Sequence, residues 1–475
     1  LYAFLKSQPT RDTLLVDSGD VDEKLAGAAD VLRATYRHPY QMHGSIGAAC
    51  AVADVQPGAA TIWSATQAVY PLRSTAAMLL KRRPEDVRVI FRRGPGCYGV
   101  NGADTVSYDA VLLSQAVGRP VRVLLTRKDE MAWENYGYPF VLEQRAGLDA
   151  EGNIMAWDHE SWSASRGGRP GYSTPGNVVT GMLAGFAVPP VTPRQAPAPT
   201  AAFDNGQNAA PSYVTGCVRG VCGGAGRVGS ERVLMHVVES PFWTGPLRSP
   251  WRLQNTFAHE SFIDEVAAHV RSDPVEYRLR HIADPRLAAV VEAAAGAAGW
   301  QPRPSPRPKV RRTGLAGGRG MACVFYEGDN GYTAMVAEVE VNQGSGELKV
   351  QRLFVAVDCG PISNPDGLKN QIEGGALQGL SRALGEQVTW DRDRVTSVDW
   401  RTYRSLDLGF APPTIESVLL NQLDVPAMGA GETSITVIAA AVANAIFDAT
   451  GARVREVPFT PERVKAALDA RRATA

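Results

Sequence analysis

Residues 332–358 read YTAMVAEVEVNQGSGELKVQRLFVAVD. Glu338, Val339, Glu340 and Val341 alternate polar with apolar, the period of a strand with one wetter face. A second long strand, GELKVQRLFVAVD, follows it with no helical segment between the two, so the pair is not a βαβ unit. Upstream, CAVADV (50–55), ATIWSATQ (60–67), DVRVIFRR (86–93) and RPVRVLLTR (119–127) read as strands. Helical segments are expected over Pro71–Lys81 and Ser107–Val117. Between Asn255 and Ile282 the period is again helical, with Phe257, Phe262, Ile263, Val266 and Val270 on one side. Downstream, Leu368–Leu384 is helical, and TSITVIAAAVANAIFDATG (433–451) is an alanine-rich helix closed by Gly451. Thr460 and Pro461 start a last helix. Strands and helices mixed without strict βαβ repetition predict an α+β fold, with mixed sheets and helices packed on one face.

Length and composition bound the function. A chain of 475 residues suggests about three domains, or two large ones. Lys+Arg and Asp+Glu both number 49, so no global charge draws it to nucleic acid. The longest apolar run, Ile435–Phe447, is interrupted by Thr436 and Asn444, which argues against a membrane span. The six cysteines (Cys50, Cys97, Cys217, Cys222, Cys323, Cys359) form no C-x-x-C pair, so zinc-ribbon and iron–sulfur patterns are missing. The chain opens on a soluble-looking segment with no signal or transit pattern. Two proline-rich stretches stand out. Val188–Pro211 reads as a long loop within a domain, and QPRPSPRPK (301–309) reads as a linker.

Several residue groups carry possible chemistry. Gly94-Pro-Gly-Cys-Tyr-Gly99 follows a strand and matches G-x-G-x-x-G, which opens a nicotinamide or flavin reading. Asp129 lies too far along the chain for the usual ribose carboxylate, and Pro95 removes a backbone donor. Gly224-Ala-Gly-Arg-Val-Gly229 matches the same pattern. In either case a glycine turn lets a ligand approach the main chain closely. Gly429-Ala-Gly-Glu432 places a carboxylate at a helix N-terminus beside two residues without side chains, a suitable general base. Gln67, Gln371, Gln378 and Arg248 offer donors for oxo or phosphate oxygens. Of the seven histidines only His43 lies in a glycine-bearing loop, and H-E-x-x-H and G-x-S-x-G are both absent.

Taken together, six segments resemble the molybdopterin-binding large subunit of the xanthine dehydrogenase and aldehyde oxidase family. They are HPYQMHGSIGAACAVADV, IWSATQAVYPLRSTAAMLL, GPGCYGVNGADTVSYDA, VVESPFWTGPLRSPWRLQNTFAHESFIDE, DCGPISNPDGLKNQIEGGALQGLSRAL and MGAGETSITVIAAAVANAIFDATG. The branch they are most similar to holds isoquinoline 1-oxidoreductase, nicotinate dehydrogenase and membrane-associated aldehyde dehydrogenase. The resemblance implies two molybdenum-cofactor-binding domains of the aldehyde oxidase type. The first spans 31–300 after an N-terminal extension or linker (1–30). The second spans 313–475 and carries the G-A-G-E motif, with 301–312 as the Pro/Arg-rich linker.

It also implies roles. Glu432 takes a proton from a molybdenum-bound hydroxide. Gln67 contacts the oxo ligand, and Gly96, Cys97 and Tyr98 face the metal's apical side, with Cys97 or Tyr98 standing where the family has phenylalanine. Pro246, Leu247, Arg248 and Gln371 lie on the pterin side, with Gly429 and Gly431 beside the base. The metal is held by the pterin dithiolene and not by protein ligands. The implied cofactor is molybdenum–molybdopterin in its cytosine dinucleotide form. The implied substrate is an aldehyde or an N-heteroaromatic ring. The implied partners are a small [2Fe–2S] subunit, a companion chain supplying the family's G-Q-G and S/T-G-S segments, and a cytochrome c subunit. A periplasmic or membrane-associated setting fits the branch. The competing readings are a noncatalytic assembly subunit and the nicotinamide or flavin dehydrogenase.

Overall fold

The computed structural model describes the chain except residues 95, 100–102, 191–229, 309–313, 327–330, 410, 411, 413 and 475. The second G-x-G-x-x-G match, Cys217, Cys222 and most of the first proline-rich stretch lie outside the described residues. After α1 (Tyr2–Ser7), strand β1 (Thr10–Ser18), α2 (Val21–Ala26) and β2 (Asp30–His38) begin one sheet. A smaller sheet intervenes, built from β3 (Cys50–Val55), β4 (Ala60–Ser64), β5 (Val87–Phe91) and β6 (Val121–Leu124) with α3 (Val69–Leu80) and α4 (Ala103–Val117). Its order is β5-β4-β3-β6, with only β4 and β5 parallel. Alternation sets its inner face. Ala51, Ala53, Val55, Ala60 and Ile62 meet Ala76, Ala77 and Leu80 of α3 and Val106, Ala110 and Val111 of α4. The helices thus lie on one face.

The chain then passes α5 (Arg127–Trp133), β7 (Phe140–Leu148), β8 (Ile154–Gly167), α6 (Val179–Leu183) and β9 (Ser230–Thr244). These strands complete a five-stranded sheet, β1-β9-β8-β7-β2, in which β8 and β9 are parallel. Residues 1–30, read from sequence as an extension, supply its edge. Thr10 to Ser18 pair antiparallel with Glu231 to Val238. Three helices follow, α7 (Arg252–His269), α8 (Pro274–His281) and α9 (Pro285–Ala297). The single helical period expected over 255–282 is two helices. Asp273 caps the second, accepting from the N–H groups of Val275 and Glu276, and Pro274 takes the first helical position.

The last sheet holds β10 (Leu315–Phe325), β11 (Tyr332–Asn342), β12 (Leu348–Asp358) and β13 (Thr414–Leu420) in that order. The pair that opens the sequence reading is antiparallel, Tyr332 facing Asp358. Its helices are α10 (Pro365–Leu384), α11 (Thr433–Thr450) and α12 (Pro461–Thr474). By length and composition α11 is apolar enough to cross a bilayer, yet every residue of it is buried inside the protein. Two glycines on β10 let it come that close. A Cβ on Gly318 or Gly320 would meet the carbonyl oxygen of Ala445 or Ala441 at 2.4 Å. Gly320→Ala pushes against helix backbone that has nowhere to go. It is expected to cost at least the ~1–3 kcal/mol of core overpacking, read as a lower urea midpoint.

One hydrophobic core runs from Ala34 and Tyr36 of β2 to Val464 and Leu468 of α12, crossing the proposed domain boundary. The stretch read as a linker is also tied down. Arg303 makes two bonds of 2.7 Å to the Asp448 carboxylate, and Ser305 adds a third at 3.0 Å.

Candidate molybdopterin site

Four segments far apart in sequence meet at one place. The glycine turn after β5 is held in a shape that needs glycine, with φ +131° at Gly96 and +127° at Gly99. A Cβ on Gly99 would lie 2.0 Å from the carbonyl oxygen of Pro246, so the turn can dock on the Pro246–Arg248 segment only without one. Tyr98, at φ +58°, is itself left-handed. Its carbonyl accepts the Arg248 N–H at 2.6 Å, and Gly99 bridges to Leu247, which is buried.

Arg248 is the clasp. Its Nε donates to the carbonyl of Gly431 at 2.8 Å, Nη1 to Gln378 Oε1 at 3.2 Å and Nη2 to the carbonyl of Gln371 at 3.3 Å. Nη2 also donates to Gly431 O. The guanidinium therefore binds protein oxygens that hold α10 against the G-A-G-E turn, and it presents only part of its edge to a ligand. The sequence reading treats it as a ligand contact. The structure adds this holding role, which a lone arginine in T-G-P-L-R does not announce. Burial pulls its pKa down, while the charge of Glu432 pushes it back up. Arg248→Lys keeps the charge but loses the planar fork. It is expected to lower stability by about 2 kcal/mol, the scale of one charge-assisted hydrogen bond, measured by urea unfolding.

Glu432 stands at the N-cap of α11 and is half-buried. Its Oε1 accepts the Ser249 N–H at 2.9 Å and its Oε2 accepts the Tyr326 hydroxyl at 3.1 Å. Ser249 Oγ donates to its backbone carbonyl at 2.6 Å. Two donors and a helix N-terminus all complement a negative charge. Ser249 and Tyr326 are site residues that the sequence reading missed. Ser249 adjoins Arg248, but Tyr326 ends an ordinary apolar strand and carries no local signal.

Beside these groups lies a cleft of about 1010 Å³. Tyr98, Arg248, Gln371 and Gln378 line it, with His43, Trp400 and Tyr403 among the other walls. Glycines on α10 make this possible. A Cβ on Gly375 would meet Ser434 Oγ at 2.2 Å, so α10 and the start of α11 pack without spacers. Gln67 is exposed and is not part of the cleft wall. Its Nε2 lies 2.9 Å from the Cys97 sulfur, pairing two sequence-predicted residues. Gly429 is exposed, and the Pro246 carbonyl accepts from Nε2 of His43, itself a cleft-wall residue, at 2.8 Å.

Two regions of the chain, residues 5–194 and 276–409, match the family description "molybdopterin cofactor-binding domain". The chain belongs to the molybdopterin-binding subunits of the xanthine dehydrogenase and aldehyde oxidase family. It is 38% identical to the B subunit of nicotinate dehydrogenase from Pseudomonas putida, over 98% of this chain and 37% of that protein. It is 27% identical to the beta subunit of isoquinoline 1-oxidoreductase from Brevundimonas diminuta, over 86% of this chain and 47% of that one. The chain thus spans less than half the length of either relative. The quinoline 2-oxidoreductase structure from Pseudomonas putida 86 shares the fold, with a TM-score of 0.76 at 15% identity over 97% of this chain and 78% of that one. The turn at 94–99 lies inside the first matched region of this molybdopterin-binding chain, which leaves no support for the dinucleotide reading.

The residues present fit the cofactor. The glycines let the turn dock on Pro246 and set Tyr98 in the cleft wall. Beside it the cleft offers amide, guanidinium and backbone donors suited to pterin edges and phosphate oxygens. The cleft is also large enough for a dinucleotide-sized group.

Proposed function

We propose that this chain is the catalytic, cofactor-binding subunit of a molybdenum hydroxylase, oxidising an aldehyde or an N-heteroaromatic ring with oxygen drawn from water. The observation that carries the reading is the placement of Glu432. Its half-buried carboxylate is fixed by Ser249 and Tyr326, one residue from the Gly431 carbonyl bound by Arg248, which lines the cleft. When bound, the molybdenum–pterin group supplies a two-electron sink and an activated, water-derived oxygen.

The chain's own residues do the rest. Glu432 accepts the proton of the attacking oxygen, and Ser249 and Tyr326 hold the carboxylate in one orientation while it does so. Gln371, the Arg248 edge and Tyr98 bind the pterin side. Gly96 and Cys97, on the turn that carries Tyr98, would lie towards the metal's side of the cofactor, and Cys97 or Tyr98 stands where the family has a phenylalanine. Gln67, outside the cleft wall, would act through its contact with Cys97. Gly429 and Gly431 keep the approach to Glu432 open.

We take the two cofactor-binding domains as 31–300 and 313–475, joined by 301–312. Electrons leave through a [2Fe–2S] subunit, with a cytochrome c as a further acceptor. A companion polypeptide completes the shell around a cytosine dinucleotide form of the cofactor. Both curated relatives are named as one subunit of a larger enzyme, which supports a multichain assembly. A periplasmic or membrane-associated complex fits these partners. The test is to assemble the complex with its candidate partners and assay a panel of aldehydes and N-heteroaromatic rings with an artificial electron acceptor. Oxygen-18 from water is expected in the product. A product labelled from dioxygen, or no turnover of either class, contradicts the reading.

A further inference from the structure

His43 connects the cleft to a second, smaller cavity. It lines the cleft, and its side chain is fully buried. Nε2 lies 2.8 Å from the Pro246 carbonyl, and Nδ1 lies 3.5 Å from Glu134 Oε1. The same carboxylate oxygen accepts the His43 backbone N–H at 2.7 Å. A carbonyl has no proton to give, so Nε2 carries hydrogen. Nδ1 of a neutral ring then turns a lone pair towards a carboxylate lone pair. That contact is repulsive until one more proton sits on His43 or on Glu134. A proton placed between these two buried groups would turn the contact into a hydrogen bond.

Glu134 also lines a cavity of about 180 Å³, together with Glu130, Asp129 and Asp109. The Glu130 side chain is 1% exposed. Its Oε2 accepts the Ala49 N–H at 2.7 Å, and its Oε1 has no hydrogen-bond partner among the described residues. Burial, and then the charge of Glu134, push the Glu130 carboxyl up to about 7. Burial lifts Asp109 as well, against a hydrogen bond of 2.7 Å from Thr180. The other charges facing the group are Arg127, 3.9 Å from Glu130, and Glu386 on the cleft side.

We propose that His43, Glu134 and Glu130 form a proton exit from the cleft into the small acidic cavity. The proposal rests on the hydroxylase reading. There, a C–H bond and water become C–OH, two electrons pass to the molybdenum centre, and two protons must be released. A proton freed in the cleft adds to the His43–Glu134 pair at the Nδ1···Oε1 contact. The matching proton leaves Glu134 for Glu130 through the cavity. Only N–H and O–H bonds form and break. These are positioning and relay residues, not groups that touch the reacting carbon.

Glu134→Gln keeps the shape but neither takes nor passes a proton. In infrared spectra of the full chain, a carboxyl group titrating near pH 7 is expected in the wild type and absent in Glu130→Gln. In Glu134→Gln its midpoint falls, because the neighbouring charge is gone. In the assembled enzyme Glu134→Gln is expected to lower turnover roughly 10-fold, below the ~10²–10⁴ of a direct acid–base group. It also raises the solvent deuterium isotope effect and displaces the pH profile, at unchanged molybdenum content. Glu134→Asp restores most of the rate. An infrared titration, isotope effect and pH profile all unmoved in Glu134→Gln overturn the proton exit. A wild-type complex whose infrared titration shifts in Glu134→Gln as stated, yet hydroxylates nothing, overturns the hydroxylase reading and leaves the Glu134–Glu130 coupling standing.

Discussion

Glu432→Gln is expected to reduce turnover by about 10²–10⁴-fold, the usual contribution of a positioned base. Glutamine has the same size. Its carbonyl oxygen can accept the Ser249 N–H while its amide group donates to the Tyr326 oxygen, so the fold and the cleft survive. What it cannot do is take a proton. The loss is expected in kcat and kcat/KM alike, with molybdenum content unchanged, because the interaction removed exists only as the proton moves. A smaller effect is expected from Tyr326→Phe, which removes one of the two orienting donors and leaves the carboxylate in place. Rapid-reaction measurement of the reductive half-reaction separates the two variants from any fault in electron transfer to partners. A Glu432→Gln enzyme that turns over at the wild-type rate returns the chain to the role of an assembly subunit.

The largest effect on stability is expected at Glu260, on α7. Its carboxylate accepts from Arg278 Nε and from the Cys323 N–H, each at 2.9 Å, and contacts His259 Nδ1 at 2.9 Å. Its backbone carbonyl accepts from Arg278 Nη2 at 2.8 Å and from Asn444 at 3.2 Å. One residue thus ties α7 to α8, to β10 and to α11. Both charged side chains of the pair are wholly buried. Glu260→Gln removes the nearer of two buried carboxylates facing Arg278 and leaves only Asp264, at 3.7 Å. Breaking a buried pair in this way is expected to cost about 3 kcal/mol. Denaturant unfolding at neutral pH reads it directly. Burial raises the Glu260 carboxyl, but Arg278 and His259 outweigh burial and hold it at about 2. Its folded pKa is thus depressed. The stability it contributes is complete above the ordinary carboxylate range and is lost as pH falls from there towards 2. The variant is therefore expected to lose that part of the wild type's acid sensitivity.

Much of the architecture is legible in the sequence because its signals are local. The alternation in Tyr332–Asn342 and the glycine after the alanine-rich run mark β11 and the end of α11 correctly. β1 and β9 are less legible, since their pairing across more than 200 residues depends on the whole sheet. Thr10–Ser18 mixes Arg11, Asp12 and Asp17 with its apolar residues and reads as an exposed edge. For the site, G-A-G-E and the glycine turn are visible as backbone requirements, and the family resemblance supplies their chemistry. Arg248 as a clasp, Tyr326 as a donor to Glu432 and the His43–Glu134 contact are tertiary facts. Each joins groups whose spacing in sequence has no period. Gln67 marks the opposite case, a residue named from its motif that the fold sets outside the cleft wall and beside Cys97.

The most direct test of the cofactor assignment is the molybdenum content, per copy of this chain, of the assembled complex purified from a host that makes molybdopterin. Close to one molybdenum per chain is expected, falling when Arg248 or Gln371 is replaced and staying level in Glu432→Gln. A complex that turns over substrate with no molybdenum bound contradicts the account.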